Sequence, residues 1–125
     1  MSVMSQSGRM LFNGAAITST SYIYNSSGNV NATAGMVHCK ADSTLVQYCC
    51  ATLVASTMTI RIEGKFDKMD RWAEVYSASI DAADSIDQLV NISEDFSDIR
   101  VGVRVRNAVS ASNIIYVGVC NTEFK

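Results

Sequence analysis

The chain has 125 residues, with ten Lys and Arg against twelve Asp and Glu, a net charge of −2 and 48% hydrophobic residues. Its length fits one domain with room for a core. The apolar content excludes a disordered polyelectrolyte, and the charge balance excludes a generally basic nucleic-acid or membrane-surface binder. No apolar run reaches the roughly 18 residues of a membrane helix, and the N-terminus lacks a basic stretch followed by an apolar one, so neither a membrane span nor a secretory leader is expected.

Residues 1–14 are rich in Ser and Met and show no period. Within them Arg9-Met10-Leu11-Phe12 forms an apolar plug between Gly8 and Gly14. This stretch reads as an N-terminal arm ahead of a single domain over 15–125. In an isolated domain it is loose or folds back as an edge strand; in an assembly it anchors on a neighbour.

From Ala15 the texture is β: Thr, Val, Ile, Tyr and Ser in short runs broken by Gly, Asn and Asp. Strands are predicted over 15–24, 30–40, 44–53, 57–66, 73–80, 88–92, 99–107 and 113–120. Turns are predicted at 25–29, 41–43, 67–70 and 108–112. Met58, Ile60 and Ile62 alternate with Thr59, Arg61 and Glu63. Ile99, Val101, Val103 and Val105 alternate with Arg100, Gly102, Arg104 and Arg106. Each run has one apolar and one polar face, the period of an antiparallel strand with one side buried. Ile114–Cys120 is apolar on both faces, as suits a covered central strand or one that meets a partner.

The segment 81–90 fits two readings. Ala82, Ile86, Leu89 and Val90 fall at helical spacing behind Asp81 as an N-cap, and the same residues fit a loop leading into a strand. Eight short strands with frequent turns give an all-β antiparallel β-sandwich or jelly roll with an extended N-terminal arm. The chain has no proline, so its sheet edges are protected by something else, and assembly is one means.

The four cysteines, Cys39, Cys49, Cys50 and Cys120, sit among apolar and β-branched residues and read as buried thiols. Adjacent strand residues face opposite ways, which disfavours a Cys49–Cys50 bridge. A bridge from Cys120 to Cys39 or Cys50 stays open. No CxxC pair anchors a zinc site, and the single histidine, His38, makes a poor partner for its neighbour Cys39 in catalysis.

Charge is distributed unevenly. Residues 1–60 carry only Arg9, Lys40 and Asp42, and take their polarity from Ser, Thr and Asn. Depletion of charge marks the core of protein interfaces, so the first half is assigned to an inter-subunit surface; a position inside the sandwich is the alternative. Between Trp72 and Ile99 lie seven acids and no Lys or Arg, followed at once by Arg100, Arg104 and Arg106. Pairing of this acidic stretch with the basic strand, within or between subunits, is one reading, and a solvated acidic face the other. The spacing of Asp81, Asp84 and Asp87 does not match an EF-hand.

No P-loop, GxGxxG, HExxH or GxSxG is present. No enzyme, catalytic residue, cofactor or metal is expected. Trp72, Ile99 and Val101 are assigned to the core, with a sugar platform as the alternative for Trp72. Nucleic acid is excluded as a partner because no aromatic residues alternate with Arg100, Arg104 and Arg106 along their strand; a membrane partner is not expected.

The run from Ile60 through Gly64-Lys-Phe-Asp67 to Trp72-Ala-Glu-Val75, followed by Phe96-Ser-Asp-Ile99-Arg100-Val101, resembles a strand pair of small β-sandwich virion proteins of tailed bacteriophages, the capsid decoration (cement) and head or tail appendage proteins. The likeness covers residues 57–120, and similar strand pairs occur in galactose-binding-like sandwiches. It implies a noncatalytic structural protein of the virion, a trimer on the capsid surface, assembled in the host cytoplasm, bridging subunits of the major capsid protein or another virion protein. A head–tail connector, tail or fibre component and a glycan-binding module are the alternatives. Expected interface residues are Arg9, Met10, Leu11 and Phe12, with Arg100, Arg104 and Arg106.

Overall fold

The computed structural model describes residues 4–25, 36–38, 43–54, 57–66, 68–69, 71–93, 96–107 and 113–124. These form β1 (Met4–Ala16), β2 (Val37–His38), β3 (Ser43–Thr52), β4 (Met58–Lys65), β5 (Ala73–Ile80), β6 (Asp84–Ile92), β7 (Asp98–Val105) and β8 (Ile114–Phe124). Two four-stranded antiparallel sheets result, ordered β1-β8-β3-β6 and β2-β7-β4-β5. Every connection between consecutive strands changes sheet except β4 to β5. This is the jelly-roll form of the β-sandwich. The predicted turn at 108–112 lies outside the described residues, as do residues 41–42 of the turn at 41–43, most of 25–29, half of 67–70 and most of the strand over 30–40.

The alternations read in β4 and β7 produce the core. Met58, Ile60, Ile62, Ile99, Val101, Val103 and Val105 are fully buried beneath Val46, Tyr48, Cys50, Ile115, Val117 and Val119 of the facing sheet. Gly64 makes room for a ring: a Cβ there would lie 2.6 Å from Phe96.

From Met4 the stretch read as an arm is an edge strand. β1 pairs with β8 from Met4↔Phe124 to Ala16↔Ile114. Two register shifts re-phase it. The first, between Met10 and Phe12, lets the consecutive residues Leu11 and Phe12 both turn inward. The second, between Asn13 and Ala15, brackets Gly14 at φ 68°, where a side chain would be strained and would meet the Tyr116 hydroxyl at 3.1 Å. The strand predicted over 15–24 is thereby split. Ala15 and Ala16 end β1, and Ile23 makes a single bridge to Val103 at the edge of β7.

The segment 81–90 is not a helix: β6 begins at Asp84 and pairs with β3 from Thr44↔Ile92 to Cys50↔Asp84. Pairing with β3 satisfies its backbone groups and turns Val90 and Ile92 inward, which a helix at this sheet edge would forfeit. Buried Asn113 ties the end of the sandwich together. Its side-chain amide donates to the Ile17 carbonyl at 3.0 Å, its side-chain oxygen accepts from the Val54 N–H at 2.9 Å, and its carbonyl accepts from the Ile17 N–H at 2.8 Å.

Phe12→Ala will lower the stability by about 3–5 kcal/mol in denaturant unfolding, as truncation of a fully buried ring does. An unchanged midpoint would show that β1 is not part of the folding unit.

Candidate interaction faces

The outward side chains of the first sheet make a nearly neutral surface. Met10 is 51% exposed and Leu89 63% exposed, with Leu45, Gln47, Tyr116, Gly118 and Cys120 between them, and Met10 lies over Gly118. Asp87 borders a hollow shared with Met10, Gln47, Tyr116 and Gly118. On β6, the outermost described strand of this sheet, Ile86 is 67% exposed.

The expected interface residues separate. Met10 is on this neutral face, and Arg9 is exposed, donating to the Met36 carbonyl at 3.4 Å. Leu11 and Phe12 are core residues and present no surface, because the first register shift of β1 points both inward. Arg104 and Arg106 are exposed on the opposite sheet, and Arg100 there is buried.

On that second sheet the outward positions carry charge. Arg100 Nε donates to Glu63 Oε1 at 3.0 Å, and Arg61 Nη2 lies 3.4 Å from the same oxygen. Glu63, on the neighbouring strand, is thus a carboxylate paired with Arg100. Arg104 and Arg106 form no ion pair among the described residues. Rings cover the guanidinium groups. The Arg61 and Arg104 carbons lie 4.0 and 4.6 Å from the Tyr22 ring centre, and that of Arg100 lies 4.5 Å from Tyr24 and 4.4 Å from Trp72. The Lys65 ammonium is 5.6 Å from Trp72. The Tyr24 hydroxyl accepts from Arg61 Nη2 at 3.4 Å.

Trp72 is thus a half-exposed lid over Arg100 rather than a core anchor, whereas Ile99 and Val101 are fully buried as expected. The sequence reading missed this arrangement. Arg61 and Lys65 were visible on the polar face of β4. Tyr22 and Tyr24 arrive only because the chain after β1 runs along β7, with Ile23 and Val103 exchanging backbone hydrogen bonds at 3.0 Å. Gly102 admits the two rings, since a Cβ there would be 3.0 Å from each.

The thiols divide by face. Cys50 is buried inside the sandwich, while Cys49 and Cys120 are half-buried on the outer face of β3 and β8. Cys49, Cys50 and Cys120 are thiols rather than disulfides, and the Cys120–Cys50 bridge fails because the two face opposite sides of the first sheet. Cys39 lies outside the described residues. Burial, reinforced by the neighbouring Cys49, pushes the Cys50 thiol up, away from nucleophilic behaviour. Burial and the 2.8 Å contact with the Tyr76 hydroxyl raise Tyr48 well above the usual phenol range. No group of three or more His, Cys, Asp or Glu among the described residues could hold a metal ion, and none of their helices is long and apolar enough to cross a membrane.

No family profile and no curated protein matches the chain. Among solved structures it is similar to a chain from Bacillus endospore appendages, described as a novel family of disulfide-linked pili, at a TM-score of 0.52 and 12% identity over 98% of this chain and 91% of that one. A crystal structure of PirA aligns over 98% of this chain and 93% of its own at 10% identity, and its TM-score of 0.38 is too low to bear on the fold. The class established is an antiparallel β-sandwich of jelly-roll topology, with eight strands among the described residues.

Two predictions follow from the titratable groups. Cys50 and Tyr48 have raised pKa values in the folded chain, so the unfolded chain releases these protons first. Their contribution to stability is complete below the unfolded values, about 8.5 and 10, and is lost as pH rises through the higher folded ones. Alkaline unfolding curves will therefore fall from about pH 8.5 upward, and the double variant Cys50→Ala, Tyr48→Phe will flatten that fall. Separately, Glu63→Gln will cost about 3 kcal/mol in denaturant unfolding, because it removes the buried carboxylate that Arg100 and Arg61 share.

Proposed function

We propose that the chain is a noncatalytic structural subunit that works by associating with further copies of itself. The observation that carries this reading is the first sheet, which ends in two long strand edges, the thirteen-residue β1 and nine-residue β6, on either side of a neutral apolar face. Such edges present rows of backbone donors and acceptors, and natural proteins cover, charge or interrupt them. Here β1 carries one charge, Arg9, and neither edge has proline. Two different edges on one molecule favour a heterologous contact, β6 of one copy beside β1 of the next, which repeats into a ring or fibre. The fold shared with a chain from disulfide-linked pili supports the reading. Cys49 and Cys120 lie on the outer face of the inner strands β3 and β8, one strand in from those edges.

A second reading keeps the bacteriophage assignment: a capsid decoration protein on the virion surface, trimeric, made in the host cytoplasm and bridging the major capsid protein. The neutral first half and the jelly-roll topology, which viral shell proteins also use, favour it. A connector, tail or fibre component is the same idea at another place in the particle.

Light scattering behind size-exclusion chromatography, with and without reductant, followed by electron microscopy, tests both. Fibres or an open series of oligomers are expected. A closed trimer of the 13.5 kDa chain would move the assignment to shell decoration. The double variant Ile86→Lys, Leu89→Lys will abolish assembly without changing thermal stability, because both side chains are exposed at the β6 edge. A wild-type chain that stays monomeric under all conditions would sink self-association.

A further inference from the structure

The outer face of the second sheet carries a regularity that self-association through the first sheet leaves unused. The outward cross-strand pairs of β4 and β7 are Thr59–Arg104, Arg61–Gly102, Glu63–Arg100 and Lys65–Asp98. The Arg106 N–H bonded to the Thr57 carbonyl at 2.8 Å adds a fifth. Each of the five pairs holds one cation. Outward pairs recur every second residue, so the pairs lie about 6.7 Å apart over about 27 Å of strand, with Arg106, Arg104 and Arg100 on the β7 side and Arg61 and Lys65 on β4. Tyr22, Tyr24 and Trp72 are interleaved with them. Four carboxylates border the row among the described residues: Glu63 and Asp98, both buried, Glu74, exposed beside Glu63 on β5, and Asp81, exposed and bonded to the Thr57 hydroxyl. Five cations against four acids leave one excess positive charge on this face of a chain whose net charge is −2.

We propose that this row is a track for an extended single strand of nucleic acid, with phosphates on Arg106, Arg104, Arg61 and Lys65, buried Arg100 adding only its field, and bases against the exposed parts of Trp72 and Tyr22. A strand pulled straight with its bases unstacked spaces its phosphates roughly as these pairs are spaced, whereas a duplex presents them closer together along its axis. Guanidinium groups already held against rings, and in part by Glu63, lose little side-chain freedom when they meet an anion. Interleaved cations and aromatic rings are what sequence-tolerant single-strand binding requires. At the Arg106 end the row opens into a hollow of about 540 Å³ lined by Thr20, Thr57, Thr59, Ser79, Asp81 and the two arginines, Arg104 and Arg106. Its hydroxyl groups supply further donors to a phosphate. The exclusion of nucleic acid from sequence rested on the absence of aromatics along β7; the rings come from other segments.

The test is fluorescence anisotropy of labelled oligo(dT) and oligo(U) of about 20 nucleotides, titrated with the whole chain at low salt. Binding that quenches Trp72 fluorescence is expected, and its logarithmic salt slope will lie between about −2 and −2.8, the upper value corresponding to four phosphates. Arg104→Gln with Arg106→Gln will weaken binding about tenfold or more and reduce the slope by about 1.4. Neither arginine makes an ion pair among the described residues, and an unchanged circular dichroism spectrum will confirm the fold. Arg9→Gln, on the other sheet, will bind as the parent does. The proposal is overturned by the absence of binding at low salt, by equal binding of the double variant, or by tighter binding of a duplex of the same length. It is also overturned if polygalacturonate at equal charge concentration displaces the oligonucleotides completely, which would assign the track to an anionic glycan.

Discussion

The pairing of β8 with both β1 and β3 is the constraint on which the rest of the molecule depends. It joins the first described residues to the last, Met4 to Phe124, and makes the C-terminal strand an interior member of its sheet. An interior strand must satisfy backbone groups on both edges, so the N-terminal segment cannot swing free without exposing one of them. Ile115, Val117 and Val119 face the core, and their outward neighbours Ile114, Tyr116, Gly118 and Cys120 are also largely uncharged. The apolar character of β8 on both faces thus has two origins, one in packing and one in the neutral outer surface. Asn113, just before the strand, extends the tie to Ile17 and Val54 with three hydrogen bonds.

The second sheet is organised around β7 in a comparable way. β4 covers one edge, and the other is shared between β2 at Ile99 and the chain around Ile23 at Val103. That second contact brings Tyr22 and Tyr24 over Gly102 and sets them among Arg61, Arg100 and Arg104. Glu63 partly offsets the charge these arginines concentrate, and the aromatic faces provide further electrostatic compensation. Arg100 is accordingly a buried, fully engaged group, whereas Arg104 and Arg106 retain exposed charge.

The sandwich therefore presents two unlike outer surfaces. One is neutral, bears Cys49 and Cys120, and ends in long strand edges. The other is a cationic row threaded with rings. A contact through the first leaves the second open, so association of copies and binding of a linear anion are physically compatible on one small domain. Repetition of the subunit would also repeat the row, and many weak contacts along one polymer would then sum as avidity.

Read alone, the sequence shows the strand content and much of the inner face. The alternations in β4 and β7 place Ile60, Ile62, Val101 and Val103 inside, since a strand reverses its side chains at every residue. It also exposed the separation of charge between the two halves. It left open whether 81–90 was a helix or a loop leading into a strand, because Ile86, Leu89 and Val90 fit both and only pairing with β3 chooses between them. It misplaced Leu11 and Phe12, since a register shift that buries two consecutive residues breaks the simple alternation. The cation–aromatic row was beyond its reach for a related reason. Lys65 and Arg106 become ends of one line, and Tyr22 a neighbour of Arg61, only when strands distant in the chain are laid side by side. Tertiary structure decided that arrangement, because long-range backbone pairing sets the register and the register sets which side chains meet.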